Sequence, residues 1–361
     1  MTRPARVVIQ LPSLQHNLSR VRQLAPRSRI MAIVKADAYG HGLVRTATAL
    51  PGADAFGVAC LEEAIQLREA GISAPILLLE GPYSAGELNR IEALKLQIVV
   101  HDESQLDMLG QARLPQPVQV WIKIDSGMHR LGFPTSDTER VWQRLRSCPS
   151  VAPGIRLMSH LARASEPDSP MTKRQLQIFN ETCRIFPAER SIANSAAILL
   201  WPDSCQDWVR PGLMLYGVSP VEGRTSRDFD LAPVMSFQSH LIATKALQRG
   251  DTVGYGAGWV CPEDMTVGIV AAGYGDGFPR HSSSGCPILV SGIRTTIIGH
   301  ASMDMLSVDL RAIPAAKVGD PVELWGSRLL IEEVAAHAGT IPYELMCGVH
   351  KRLRFEEHGQ D

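Results

Sequence analysis

The feature that most limits the fold is an alternation. Through the first two-thirds of the chain, short apolar runs trade places with segments of helical spacing. The runs are IMAIVKA (30–36), AFGVA (55–59), PILLLEG (75–81), LQIVV (96–100), VQVWIKID (118–125), GIRLMSHL (154–161), RSIAN (190–194) and WVRPGLMLYG (208–217). Between them lie LVRTATAL, LEEAIQLREA, SAGELNRIEAL, SQLDMLGQA, TERVWQRLRS and MTKRQLQIFNETCRIF. In the last of these, Leu176, Phe179, Cys183 and Phe186 recur at helical spacing. Eight strands alternating with helices predict a parallel sheet, and eight is the number that closes a (β/α)8 TIM-type barrel. The alternative is an open doubly wound sheet, but no G-x-G-x-x-G follows the first strand, so the dinucleotide fingerprint is missing.

The texture changes near residue 231. Runs such as MTVGIVAAG, CPILVSG, MLSVDL and PVELWG are punctuated by Gly, Pro and Asp, with one late helix expected near IEEVAAHAG. Residues 1–230 therefore read as an α/β barrel and 231–361 as a mostly β domain, with 219–233 as the linker.

Composition excludes several classes. With 36 basic and 37 acidic residues the net charge is -1, so no global field draws nucleic acid or anionic lipid. No apolar run reaches membrane-spanning length, and the N-terminus lacks the apolar core of a signal peptide. Seven scattered cysteines without a CxxC pair predict small buried thiols in a reducing cytoplasm, with no disulfide framework and no metal site.

Side chains alternate across a strand. Val118, Val120, Ile122 and Ile124 form one face of VQVWIKID, which leaves Gln119, Trp121, Lys123 and Asp125 facing inward. The same count places Met31, Ile33 and Lys35 on one face, and Arg156, Met158 and His160 on another. The barrel interior thus collects Lys35, Lys123, His160 and Arg210 near the C-terminal strand ends, where barrel active sites form. One reading is a set of internal ion pairs; the other is a site for an anionic ligand. Barrel phosphate sites lie after strands seven and eight. Here those loops carry Asn194 and Ser195, and Gly212 and Leu213. A lysine at a strand end opposite a phosphate site suggests pyridoxal 5'-phosphate.

Nine motifs then carry a family resemblance from end to end: AIVKADAYGHG around Lys35, WIKIDSGMHRLG, MSHLARASEPD, SIANSAAILLWP, WVRPGLMLYGVSP, VGYGAGW, GYGDGFPR, ASMDM and IPYELMC. In this the chain resembles the bacterial alanine racemases, pyridoxal-phosphate enzymes with a barrel and a C-terminal β domain. The resemblance implies Lys35 as the Schiff-base lysine and one catalytic base, with Tyr255 as the opposite base. It implies Tyr39, Asn194, Ser195, Gly212, Leu213 and Tyr343 around the phosphate, Arg210 at the pyridine nitrogen and His160 on the ring face. Arg130 and the backbone of Met303 would receive the substrate carboxylate, and Tyr274 would narrow the entrance. Lys123 would be carbamylated. The family also implies interconversion of L-alanine and D-alanine, for peptidoglycan or for alanine catabolism, in a cytoplasmic homodimer with shared sites. A serine-accepting racemase and a non-catalytic pyridoxal-phosphate carrier are the rival readings; the carrier lacks a β domain. Two departures stand out. Asp37 occupies a position where Asn is common, and His300 one where Arg is usual. The polar tail 351–361 is expected to fray.

Overall fold

The computed structural model describes residues 3–282 and 284–359, and tertiary contacts divide them into two compact units. One comprises Gln15–Leu215 with Ser219–Arg224; the other gathers the chain up to Leu14, Tyr216–Val218 and the residues from Thr225 onward. Strand β1 (Arg6–Gln10) belongs to the second unit.

The first unit is built on β2 (Arg29–Ile33), β3 (Ala55–Val58), β4 (Ile76–Leu78), β5 (Gln97–Val100), β6 (Gln119–Asp125), the two-residue β7 (Phe133–Pro134), β8 (Arg156–Met158), β9 (Arg190–Asn194) and β10 (Trp208–Arg210). Pairing runs β5-β4-β3-β2-β10-β9-β8-β6, and a β5–β6 ladder closes the ring, so the eight expected strands form a closed barrel. The ladders are parallel, which explains the near-continuous apolar runs: both faces of each strand are covered. The helices fall where their spacing predicts. Thr138–Arg146 buries Val141, Trp142 and Leu145, while Arg140 and Arg144 reach Glu103 and Asp107 on Glu103–Gln111. Asp102 accepts from Ser104 N at 2.9 Å and Ser169 from Thr172 N at 3.4 Å, each capping the helix that follows.

The floor of the barrel is a polar-aromatic plug made mostly from the first residues of the strands. Glu189 accepts from Arg156 Nε at 2.7 Å, from Trp208 Nε1 at 3.0 Å and from Arg29. Arg29 lies 4.3 Å over the Trp208 ring, and Arg156 5.2 Å over Trp121. The two indoles meet edge to face at 5.8 Å, and Gln97 Oε1 accepts from Trp121 Nε1 at 2.8 Å. Inward-facing Trp121 and Arg156 thus belong to an internal ion-pair network, one layer below Lys123 and His160.

The second unit contains β1 together with β11 (Met235–Leu247), β12 (Thr252–Val253), β13 (Trp259–Val260), β14 (Met265–Val270), β15 (Pro287–Val290), β16 (Ile293–Ile298), β17 (Leu306–Asp309), β18 (Pro321–Trp325) and β19 (Arg354–His358). Its sheet runs β14-β17-β16-β15-β18-β11-β1-β19, and a β11–β14 pairing closes six of these strands into a ring. The thirteen-residue β11 makes this possible by pairing with β18 along its first half and β14 along its second. Trp325 packs against Phe237 and Phe278 at 4.9 and 6.4 Å in its core. The late helix forms over Ile331–Ala338, and a second, unexpected helix follows at Pro342–Cys347. The tail does not fray through His358: β19 pairs in parallel with β1 over five residues, while 360 and 361 lie outside the described residues.

No helix among the described residues is long and apolar enough to cross a membrane, and no cluster of three or more His, Cys, Asp or Glu could hold a metal there. All seven cysteines are free. Only Cys183, Cys261 and Cys286 are buried and Cys347 is exposed, so the expectation of uniformly buried thiols is corrected.

Trp121 is fully buried, and its loss leaves the plug without its central ring. Trp121→Ala should cost about 3–5 kcal/mol, read as a lowered urea midpoint with an unchanged m-value; an unchanged midpoint would refute a structural role for the floor.

Candidate active site

The barrel mouth is organised by the segment after β2. The strand stops at Ile33, two residues before Lys35, rather than running to residue 36. Ala36, Asp37, Ala38 and Tyr39 have φ of 55°, 52°, 54° and 54°, and Gly40 has 78°, so five consecutive residues wind left-handed. For L-residues this costs on the order of 1–2 kcal/mol each, less for Asp, which accounts for a position that accepts Asp or Asn. The turn closes on itself through Ala38 N to Val34 O at 2.8 Å, Gly40 N to Ala36 O at 3.1 Å and Gly42 N to Asp37 O at 2.9 Å. Buried His41 directs Nδ1 at the carbonyls of Ala38 and Tyr39, both at 3.0 Å, so that nitrogen carries the proton. Burial lowers the pKa of His41 to about 4 and keeps the ring neutral. Lys35 directly precedes the left-handed stretch of non-glycine residues, and Tyr39 ends it.

Tyr39 leads to the expected phosphate corner. A methyl group placed on Gly212 would lie 2.5 Å from Tyr39 Oη, so only glycine lets the phenol approach this backbone. Ser195 Oγ accepts from Gly212 N at 2.8 Å and Met214 N at 3.3 Å, which pins the loop after β10 to the start of Ser195–Leu200. Leu213 is buried within that loop. Asn194 caps the same short helix by accepting from Ala197 N at 3.0 Å, so its side chain shapes the corner from behind.

Cations line the rest of the mouth. Arg210 is buried at 5% exposure and, among the described residues, donates to neutral acceptors: Ser191 Oγ at 2.6 Å, Ser159 O at 2.5 Å and His160 Nδ1 at 3.4 Å. Burial lowers its pKa to about 10, which leaves it charged at neutral pH. Burial, then Arg210, Arg130 and Lys35, bring Lys123 down to about 8. Burial and the same cations hold His160 well below the ordinary histidine value. Among the described residues, Lys35, Lys123, Arg130 and Arg210 form no ion pair, whereas the arginines of the floor do. The mouth is therefore rich in positive charge, with the Glu80 carboxylate acting in the opposite direction on Lys123.

In the second unit, Tyr255 stands in a turn between Gly254 and Gly256, both at positive φ, and is 74% exposed. His300 lies beside Gly254 and Gly258 of this turn. Tyr274 N donates to Ser302 O at 3.0 Å and Gly275 N to Met303 O at 2.9 Å, so the Tyr274 turn and the 302–305 loop are laced together. Fully buried Asp276 anchors both: it accepts from Arg3 Nη2 at 2.6 Å, Arg352 Nε at 2.8 Å and Gly273 N at 2.9 Å, and Arg352 also holds Asp304 at 2.9 Å. Among the described residues the Met303 N–H donates to no protein acceptor, and Met303 is half-exposed. Tyr343 is near the start of Pro342–Cys347, with its ring partly exposed.

Family models for the alanine racemase N-terminal and C-terminal domains match residues 9–220 and 234–356. The chain belongs to the alanine racemase family. It is 54% identical to an alanine racemase of Nitrosococcus oceani, across 96% of this chain and 97% of that one. It is 50% identical to the biosynthetic alanine racemase of Escherichia coli K12, across 97% and 98%. The crystal structure of biosynthetic alanine racemase from Pseudomonas aeruginosa superposes with a TM-score of 0.97 at 43% identity, covering 99% of this chain and all of that one.

Set against the alanine racemase motifs, the first unit brings Lys35, Tyr39, Lys123, His160, Ser195, Arg210 and Gly212 to one mouth; Tyr255, Tyr274, Met303 and Tyr343 belong to the second unit. Sequence reasoning missed Ser191, which holds Arg210, and the Asp276 anchor. Strand alternation in RSIAN could have found the former. Nothing local announces the latter, because its partners are Arg3 and Arg352.

Two neutral buried histidines make stability depend on pH. Unfolding raises the pKa of His41 from about 4 to the ordinary 6.5, so below 6.5 the unfolded chain binds the extra proton and stability falls until about pH 4. His160 acts in the same direction. Denaturant titrations from pH 7.5 to 4.5 should show His41→Asn losing up to about 1.4 kcal/mol per pH unit less than the parent. Equal slopes would mean that His41 is not held neutral.

Proposed function

We propose that this chain is a pyridoxal 5'-phosphate-dependent alanine racemase that interconverts L-alanine and D-alanine by a two-base mechanism. The observation that carries the proposal is the barrel mouth, where Lys35, half-buried Lys123 and buried Arg210 form no ion pair among the described residues and share the mouth with the Tyr39–Gly212 corner. The donor set fits the cofactor. Ser195, Tyr39, Gly212, Leu213 and Tyr343 would hold a phosphate, Lys35 would meet an aldehyde, and Arg210 would donate to a ring nitrogen. When bound, pyridoxal phosphate supplies the electron sink that acidifies the substrate α C–H.

The residues of the chain do the rest. Lys35 Nζ and Tyr255 Oη act as bases on opposite faces, one taking the α-proton and the other returning one, so the substrate need not rotate. A guanidinium only donates hydrogen bonds, so Arg210 keeps a facing ring nitrogen unprotonated and restrains side reactions. Arg130 and the Met303 N–H would receive the substrate carboxylate, and Tyr274 would narrow the approach to it. In this reading residues 1–230 hold the cofactor and 231–361 supply Tyr255 to the site of a second copy, which makes the cytoplasmic homodimer the working form. Exposure of Tyr255 and Met303 supports that arrangement. The chain's similarity to the biosynthetic alanine racemases of Escherichia coli and Pseudomonas aeruginosa favours D-alanine supply for peptidoglycan.

Lys123 is assigned as a carbamate. Its pKa of about 8 leaves part of the amine neutral near pH 7. That amine would bond carbon dioxide and release a proton, and the resulting anion would be attracted to Arg130, whose charge already acts on Lys123. Labelled bicarbonate should give a carbamate NMR resonance that Lys123→Ala removes; persistence of that resonance would place the carbamate elsewhere.

Chiral chromatography of L-alanine with the cofactor-loaded protein should end at equal L- and D-alanine, with slow turnover of L-serine alongside. Lys35→Ala and Tyr255→Phe should each lose roughly a hundredfold to ten-thousandfold or more in rate. Full activity in either variant would reject the two-base assignment.

A further inference from the structure

The left-handed turn that carries Lys35 and Tyr39 requires a device that keeps it wound, and the structure shows one on the neighbouring helix. Glu63 is the third residue of the helix Leu61–Glu69. Its Oε2 accepts from Ala59 N at 2.9 Å, just ahead of its own helix. Its Oε1 crosses to the turn and accepts from Ala36 N at 2.6 Å and Asp37 N at 3.3 Å, the two residues after Lys35. All three partners are donors, so only a carboxylate satisfies both sides. A carboxylate accepting from backbone N–H groups makes the stronger, charge-assisted kind of hydrogen bond. His41 meets the carbonyls of Ala38 and Tyr39 at the opposite end of the turn.

We propose that Glu63 is a positioning residue: its carboxylate clamps the first N–H groups of the left-handed turn and so fixes Lys35 and Tyr39 relative to each other. Its effect on the cofactor rests on the function proposed above; its effect on the turn does not. Glutamine serves a helix cap about as well as glutamate. Glu63→Gln therefore leaves the helix supported while setting an amide NH2 against one of the donor sides.

Two measurements on the purified full-length protein decide the matter. Hydrogen exchange at residues 36–40 should speed up on the order of tenfold to a hundredfold in Glu63→Gln, with the melting temperature nearly unchanged. Release of pyridoxal phosphate from the holoprotein should accelerate in parallel. Adding Ala36→Gly should slow that release again, because glycine adopts positive φ without penalty and the exposed Ala36 methyl packs against nothing essential. Unchanged exchange at 36–40 would overturn the proposal, as would faster cofactor loss that Ala36→Gly leaves untouched. A parent protein that binds no pyridoxal phosphate would defeat the functional reading instead, with the exchange result still deciding the clamp.

Discussion

The barrel mouth concentrates positive charge around a buried guanidinium that forms no ion pair among the described residues. Arg210 is buried among a serine, a carbonyl and a neutral imidazole, with Lys35, Lys123 and Arg130 close enough to perturb their neighbours. Burying a charge without a paired anion is costly, and its hydrogen bonds to neutral acceptors offset part of that cost. Burial first, and then the same charges, hold His160 well below the ordinary histidine value and keep it neutral.

The barrel separates the two ways of treating buried charge into layers. At the floor, Arg29 and Arg156 share one carboxylate, Glu189, and stack on indoles, so the charges are neutralised within the protein. At the mouth, Lys35, Lys123, Arg130 and Arg210 form no ion pair among the described residues. β6 supplies both layers, Trp121 below and Lys123 above, two residues apart on one face. This matches the general division in such barrels, with stability at the N-terminal strand ends and chemistry at the C-terminal ends.

Much of this was legible in the chain, for reasons that differ by element. RSIAN forms a strand with the expected bounds, because its short central run is buried and a helix cap follows at once. The last barrel strand was expected to run to 217 and stops at Arg210: Pro211 has no N–H to give a ladder, and Ser195 takes the next amide. The strand through Lys35 was overextended for a related reason, since apolar spacing does not reveal a left-handed turn. The six-residue helix Pro342–Cys347 is too short for periodicity to detect. β1, near the start of the chain, joins the antiparallel sheet of the second unit because its partners, β11 and β19, lie more than two hundred residues away. Site residues carried by compact motifs were readable; those that act through distant pairing, such as Asp276 with Arg3 and Arg352, were not.

The turn after Lys35 also has a stereochemical consequence. Its residues occupy the region of backbone space that is ordinary for amino acids of the opposite hand. A D-alanine built into the chain at position 36 or 38 would sit there at rest, where the natural L-residue is held against its preference. Across this segment the fold specifies a handedness that its own building blocks resist, and side chains brought from neighbouring elements make up the difference.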